Sequence, residues 1–204
     1  MKYIVLILTL CVTVIASTEM ASATQRTPEV QKAERYLRAL KTAKARFVQT
    51  SSNGPELTGD FYLNRPGRLR FQYDAPLKDY IVADGTFIYF YDGDINEQSN
   101  APIGQTLADF ILRPNIRLTN DDLKIQRIMH VGDLVQITIS QSHDPEAGTI
   151  TLGFEKEPFR LKKWRVTDAV GAITEVELFD MQTGIKLPSS LFAFVAAKPE
   201  GFND

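Results

Sequence analysis

The side chains equipped for chemistry are few in this sequence. Of the two histidines, His130 falls at the end of an expected strand and His143 in the polar turn Ser142-His143-Asp144-Pro145; both read as solvated surface residues. No Gly-x-Ser-x-Gly elbow, Walker loop or Gly-x-Gly-x-x-Gly fingerprint occurs. Asp92-Gly93-Asp94-Ile95-Asn96 begins like a calcium loop, but Glu97 stands where that loop needs glycine and Ile103 where it needs glutamate. A polar hairpin end is expected there instead. The pattern predicts no catalytic group, metal or cofactor.

One polar residue is out of place. Arg65 has the strand parity of Phe61 and Leu63, so it should aim at an apolar interior or its rim. A guanidinium so placed costs several kcal/mol unless hydrogen-bond acceptors surround it. Its position before Pro66-Gly67 lets it sit at a mouth and reach across to a loop.

The elements that would position these residues follow from periodicity. Thr27 is a good N-cap and Pro28 suits the first helical position. Val30, Ala33, Leu37 and Leu40 then form one apolar stripe, opposite Glu29, Lys32, Arg35 and Arg38, which predicts a helix over about 27–44. Beyond it the period becomes two. Strands are expected over 47–50, 58–64, 69–73, 80–83 and 87–91, separated by Asn53-Gly54-Pro55, Arg65-Pro66-Gly67, Ala75-Pro76 and Asp84-Gly85. Asp84-Gly85 fits a two-residue type I′ turn.

The stretch 96–104 reads as a polar, turn-rich interruption. Residues 105–112 then look helical, with Leu107, Phe110 and Ile111 on one side and Pro114 as the stop. Strands resume over 123–129, 134–140, 149–154, 161–167 and 173–179, with turns at Gly132-Asp133 and Val170-Gly171, and a short segment over 191–195 closes the chain. Ten or eleven strands with a long helix and a short one imply a strongly curved sheet wrapped around helices. The interior of such a sheet must be filled by side chains or by a ligand. Phe61 and Leu63 share one face, as do Leu69, Phe71 and Tyr73. The alternation suits an ordinary sandwich core as well as a ligand-lined interior.

The ends and the composition set further bounds. Lys2, an apolar run from Ile4 to Ile15 and Ala21-Ser22-Ala23 form an export leader, cleaved before Thr24. The run is shorter than the roughly 20 residues a bilayer span needs. Cys11 lies inside it after Leu10, where lipoprotein processing wants a small residue, so lipidation is not expected and residues 24–204 hold no cysteine. That suits an oxidising compartment and excludes disulfides and thiolate metal sites. Losing Lys2 and Glu19 with the leader keeps the net charge at −2. There is no basic footprint for nucleic acid. With no repeat, linker or low-complexity tract, 24–204 reads as one domain.

Ala45-Arg46-Phe47-Val48-Gln49-Thr50 and Gly59-Asp60-Phe61-Tyr62-Leu63-Asn64-Arg65-Pro66 resemble the opening strands of the LolA family of periplasmic lipoprotein carriers. Leu69-Arg70-Phe71-Gln72-Tyr73, Ala75-Pro76, Tyr80-Ile81-Val82-Ala83-Asp84-Gly85 and Phe90-Tyr91 continue the likeness, and Pro188-Ser189-Ser190-Leu191-Phe192-Ala193-Phe194 resembles the family's closing segment. The resemblance implies a mainly β fold: an open, incomplete antiparallel β-barrel of about eleven strands, with an N-terminal helix and a helical lid over an apolar cavity. It also implies a cavity wall of Phe47, Phe61, Leu63, Leu69, Phe71 and Tyr73, a lid carrying Leu107, Phe110 and Ile111, and Arg65 as the latch bonding to lid backbone. Phe71 stands where relatives often have tryptophan.

The implied partners are acylated lipoproteins, an inner-membrane lipoprotein-releasing transporter and an outer-membrane lipoprotein receptor, served by a monomer without cofactor. Three alternatives remain open on sequence: the pathway's receptor, against which the missing lipidated cysteine argues; a lipid-sensing regulatory or adaptor domain of the same fold; and a periplasmic enzyme.

Overall fold

Thr27 starts the first element as its composition predicts. Its hydroxyl accepts from the Val30 N–H at 3.4 Å, Pro28 occupies the first turn, and the helix α1 runs Pro28–Ala39 with Val30, Ala33 and Leu37 fully buried. The structure, a computed structural model, describes residues 27–105 and 107–195, the side chains of 107–109 excepted. The expected leader, with Cys11 and the cleavage point before Thr24, lies outside the described residues. The helix stops at Ala39 rather than near Lys44 because the sheet claims the next residues: Thr42 already pairs with Asn64.

Eleven strands succeed the helix: β1 Thr42–Ser51, β2 Leu57–Asn64, β3 Arg68–Tyr73, β4 Tyr80–Asp84, β5 Phe87–Asp92, β6 Glu97–Pro102, β7 Leu123–Val131, β8 Leu134–Gln141, β9 Gly148–Glu155, β10 Arg160–Asp168 and β11 Ile173–Thr183. They form one antiparallel sheet in the order β6-β5-β4-β3-β2-β1-β11-β10-β9-β8-β7. The first and last strands therefore pair at its centre, and β6 and β7 are its two free edges. The connection between those edges, residues 103–122, is the one link that does not join neighbours. The sheet stays open where it crosses.

Two expectations need correction here. Residues 97–102 form a strand, β6, because Glu97-Gln98-Ser99-Asn100-Ala101-Pro102 pair with β5, and mutual hydrogen bonding at an edge needs no apolar face. The closing segment opens on a 3₁₀ turn, Ser189–Phe192, and residues 191–195 lie across the outer face of β3 and β4. There Arg70 donates to the Leu191 carbonyl at 3.4 Å, Tyr80 to the Val195 carbonyl at 3.1 Å, and Phe194 stacks on Tyr89 at 4.4 Å. Finally, the β4–β5 turn is made by Gly85-Thr86. Only Gly85 has positive φ, whereas type I′ needs it twice, and the Asp84 carboxylate accepts the N–H groups of Thr86 and Phe87 instead.

The concave face carries the main core: Phe47, Phe61, Leu63, Leu69, Phe71 and Tyr73 from the first half of the sheet, Ile137, Ile139, Ile150, Leu152 and Phe154 from the second. Phe47 can lie flat against β2 only because position 59 has no side chain. A Cβ on Gly59 would collide with the Gln72 carbonyl and stand 2.6 Å from the Phe47 ring. Gly59→Ala is expected to cost about 1–3 kcal/mol by overpacking, readable as a lower urea midpoint with an unchanged slope.

On the outer face of the sheet, Arg46 of β1 ties β2 to the turn that follows β3. It donates to Asp60 at 3.2 Å and to both carboxylate oxygens of Asp74, which also accepts from Thr58 at 2.6 Å. The Arg46 guanidinium, with the Thr58 hydroxyl, holds the Asp74 carboxyl below its ordinary range. A depressed carboxyl stabilises the fold above its unfolded pKa of about 4, and that stability drains as pH falls through the lower, folded value. Asp74→Asn should therefore destabilise at pH 7 and converge with the unmodified protein in acid. Urea unfolding of both proteins at neutral and acidic pH tests this.

Candidate functional site

Arg65 ends up where its parity places it, 6% exposed at the end of β2, with all its partners backbone carbonyls. One terminal nitrogen donates to Leu37 and, at 3.0 Å, to Leu40; the other donates to Arg113 at 2.6 Å and to Pro114 at 3.4 Å. The first pair are carbonyls at the C-terminal end of α1, where the helix dipole is negative and orphan acceptors need donors. The second pair close the connection between the two sheet edges. Among the described residues no carboxylate neutralises the charge, and burial pushes the guanidinium below its ordinary pKa. The Arg65 Nε, also buried, has no partner among the described residues. Beside it, Gly67 donates to the Leu112 carbonyl at 2.9 Å. Gly67 must be glycine twice over: its φ is +76°, and a Cβ would stand 2.9 Å from the Gly85 Cα.

The tied connection packs into the concave face. Among its described residues the helical piece is a 3₁₀ segment, Leu107–Leu112, shorter and tighter than the helix expected over 105–112. Phe110 and Ile111 are buried, and Leu112, Ile116 and Leu118 join them. The side chain of Leu107 lies outside those described. The sequence reading missed the last three because they follow no helical stripe. Ile116 and Leu118 alternate with Asn115, Arg117 and Thr119, and that alternation was the available signal. The Glu34 carboxylate on α1 accepts the Leu118 N–H at 2.7 Å and the Thr119 hydroxyl at 3.2 Å, a second tie between helix and connection.

The six anticipated wall residues do come together. Phe47 meets Phe71 edge-on at 5.0 Å and Tyr73 at 5.4 Å, Phe61 meets Phe71 at 5.0 Å, and Leu63 pairs with Leu69 across the β2–β3 ladder. In this conformation they fill the interior with one another and with the connection. A surface depression of ≈ 640 Å³ between Glu34 and Arg38 of α1 and Asn115, Arg117 and Thr119 of the connection is polar instead. A fifth ring was missed. Trp164 of β10 packs on Phe61 at 5.8 Å and Phe71 at 6.1 Å. The pairing of β10 with β9 slips between Leu161 and Lys163, so strict alternation from Leu161 points Trp164 outward when it in fact points in.

Both histidines are at the surface, His130 with its Nε2 3.8 Å from Glu29. Residues 92–96 form the β5–β6 hairpin, in which Asp92 accepts the Asp94 N–H at 3.0 Å.

The sequence profile described as "Outer membrane lipoprotein carrier protein LolA" matches residues 38–195. The chain belongs to the LolA family. Among its relatives are proteins named outer-membrane lipoprotein carrier protein from Methylococcus capsulatus, 28% identical over 85% of this chain and 86% of the relative, and from Ralstonia nicotianae, 27% identical over 87% of each. An uncharacterized conserved protein from Thermus thermophilus shares the fold at 11% identity, with a TM-score of 0.50 over 86% of this chain and 96% of that one. The LolA profile spans the Arg65-Pro66 turn, the six wall residues, Trp164 and the whole edge-to-edge connection.

Proposed function

We propose that this chain is a periplasmic carrier. It takes the acyl chains of lipoproteins onto its concave apolar face, receives them from an inner-membrane releasing transporter and yields them to an outer-membrane receptor. Residues 1–23 serve as the export leader in this reading, and 24–204 as a single carrier domain. The observation that carries it is the closure of an aromatic interior by one buried arginine whose bonds go only to backbone on either side of the mouth.

The physical requirement is release. Each acyl methylene taken out of water contributes about 0.8 kcal/mol, so a rigid apolar cavity would hold a long chain too firmly to give it up. A closed state with its own favourable contacts competes with the ligand. The packed rings and the Arg65 bonds described above supply such a state, and the loaded state is one in which the connection 103–122 moves aside as a lid and the wall residues line an acyl cavity. The chemistry needs no nucleotide, metal or nucleophile in the carrier.

Leu69 offers a direct test. It faces the interior between Leu63 and Ala83. A carboxylate there is incompatible with a methylene chain, so Leu69→Glu is expected to weaken binding of a palmitoylated cysteinyl peptide about a hundredfold or more. A charge at Val170, on the β10–β11 hairpin tip and 88% exposed, should change nothing. Binding by native mass spectrometry, with folding checked by circular dichroism, measures both. Unweakened binding by folded Leu69→Glu removes the concave face from the reading.

A further inference from the structure

Between Trp164 and Phe71 the structure closes a gap that the sheet itself leaves open. Trp164 is on β10 and Phe71 on β3, with β2, β1 and β11 between them. Four strand spacings amount to about 19 Å along a flat sheet, yet the two ring centroids are 6.1 Å apart. The contact is thus a chord across the curve, joining the two halves of the sheet by side chains alone. Phe61 supports both rings from below, at 5.0 Å from Phe71 and 5.8 Å from Trp164.

Exposure places this chord at the surface of the interior. Phe47 and Phe61 are 1% exposed, whereas Phe71 and Trp164 are 8% and 9% exposed, so solvent reaches the pair and not the rings beneath. The remaining rim aromatic, Tyr73, is fixed by its hydroxyl to Gln49 at 2.9 Å. Trp164 and Phe71 are held to each other and to Phe61 by ring contacts, each worth no more than one or two methylene groups withdrawn from water. An entering acyl chain outcompetes such contacts within its first few carbons, while the charged bonds of Arg65 hold the connection separately.

We propose that Trp164 and Phe71 form an aromatic gate that an acyl chain parts on entry, and that Trp164 lies against the chain once it is bound. The proposal rests on the carrier reading and goes further, assigning the entry point and a ligand contact on the second half of the sheet.

Trp164 is the sole tryptophan of the sequence, so its fluorescence reports this position alone. The test titrates the protein purified after export with a synthetic dipalmitoylated cysteinyl peptide and with the same peptide carrying brominated acyl chains, which quench indole emission only in contact. Binding is measured independently by native mass spectrometry. The brominated peptide is expected to quench the emission several-fold and the unbrominated one to shift it without quenching. Trp164→Ala, which loses both ring pairs, is expected to exchange bound peptide about tenfold faster, and Trp164→Phe to restore most of the slow exchange.

Bound brominated peptide that leaves the emission unquenched overturns the gate and leaves the carrier reading standing. Absence of any acyl binding by the unmodified protein overturns both. Should Trp164→Ala fail to fold, quenching in the unmodified protein together with exchange in Trp164→Phe decides the matter.

Discussion

Exchange of Arg65 for leucine is expected to give a carrier that loads acyl chains and fails to release them. The substitution removes the bonds to Arg113 and Pro114, which hold the edge-to-edge connection down, and leaves the apolar interior intact. Losing about 2 kcal/mol of charged hydrogen bonding from the closed state alone shifts the balance toward the loaded state roughly thirtyfold. The bonds to Leu37 and Leu40 go as well, so the carbonyls at the end of α1 lose a donor and the empty protein becomes less stable. Lysine keeps the charge but cannot span four carbonyls with one ammonium, so Arg65→Lys should fall between the two. The measurement isolates each variant from periplasm, counts bound lipoprotein and follows transfer to receptor. Arg65→Leu with ordinary loading and ordinary transfer would show that these bonds are structural only.

The largest stability effect should come from Phe47→Ala. Phe47 lies over Gly59 with its ring between Phe71 and Tyr73, and nothing nearby can collapse into its place, because the backbone of β2 is already in contact. Loss of a buried phenylalanine costs about 3–5 kcal/mol, which for a domain of this size is a fall in Tm of roughly 10 °C or more. Phe90, on β5 and 44% exposed, should give a much smaller loss when truncated to alanine. Thermal unfolding of the two variants side by side checks the contrast. Equal losses would mean that the concave face is not the main core.

The strands were legible in the sequence wherever one face is buried and the other wet. The parity of Phe61, Leu63, Leu69, Phe71 and Tyr73 was readable for that reason, and so was the odd placement of Arg65. What failed did so for local physical causes. β6 has no apolar face, because it is an edge whose six residues are held by backbone bonds. Trp164 was hidden by a slip in the β9–β10 pairing that reverses alternation after Leu161. The acceptors of Arg65 fall at Arg113 and Pro114, just past the expected segment 105–112, and at α1, which no local pattern announces. A side chain's distant partners depend on how the sheet curves, and curvature is a property of the whole sheet.

The two unpaired edges bear on how such a sheet survives at high concentration. A free strand is a template for another copy of itself, and a long, flat, apolar one invites polymers. β6 presents Glu97, Gln98, Ser99 and Asn100 and ends in Pro102, which has no N–H to offer. β7 carries Lys124, Gln126, Arg127 and His130, and its pairing slips between Ile125 and Arg127, which breaks the even spacing that an added strand would need. Met129 and Val131 are exposed beyond that slip, at the far end of the strand. The open sheet thus keeps the freedom of an unclosed seam while both of its borders discourage self-assembly into fibres.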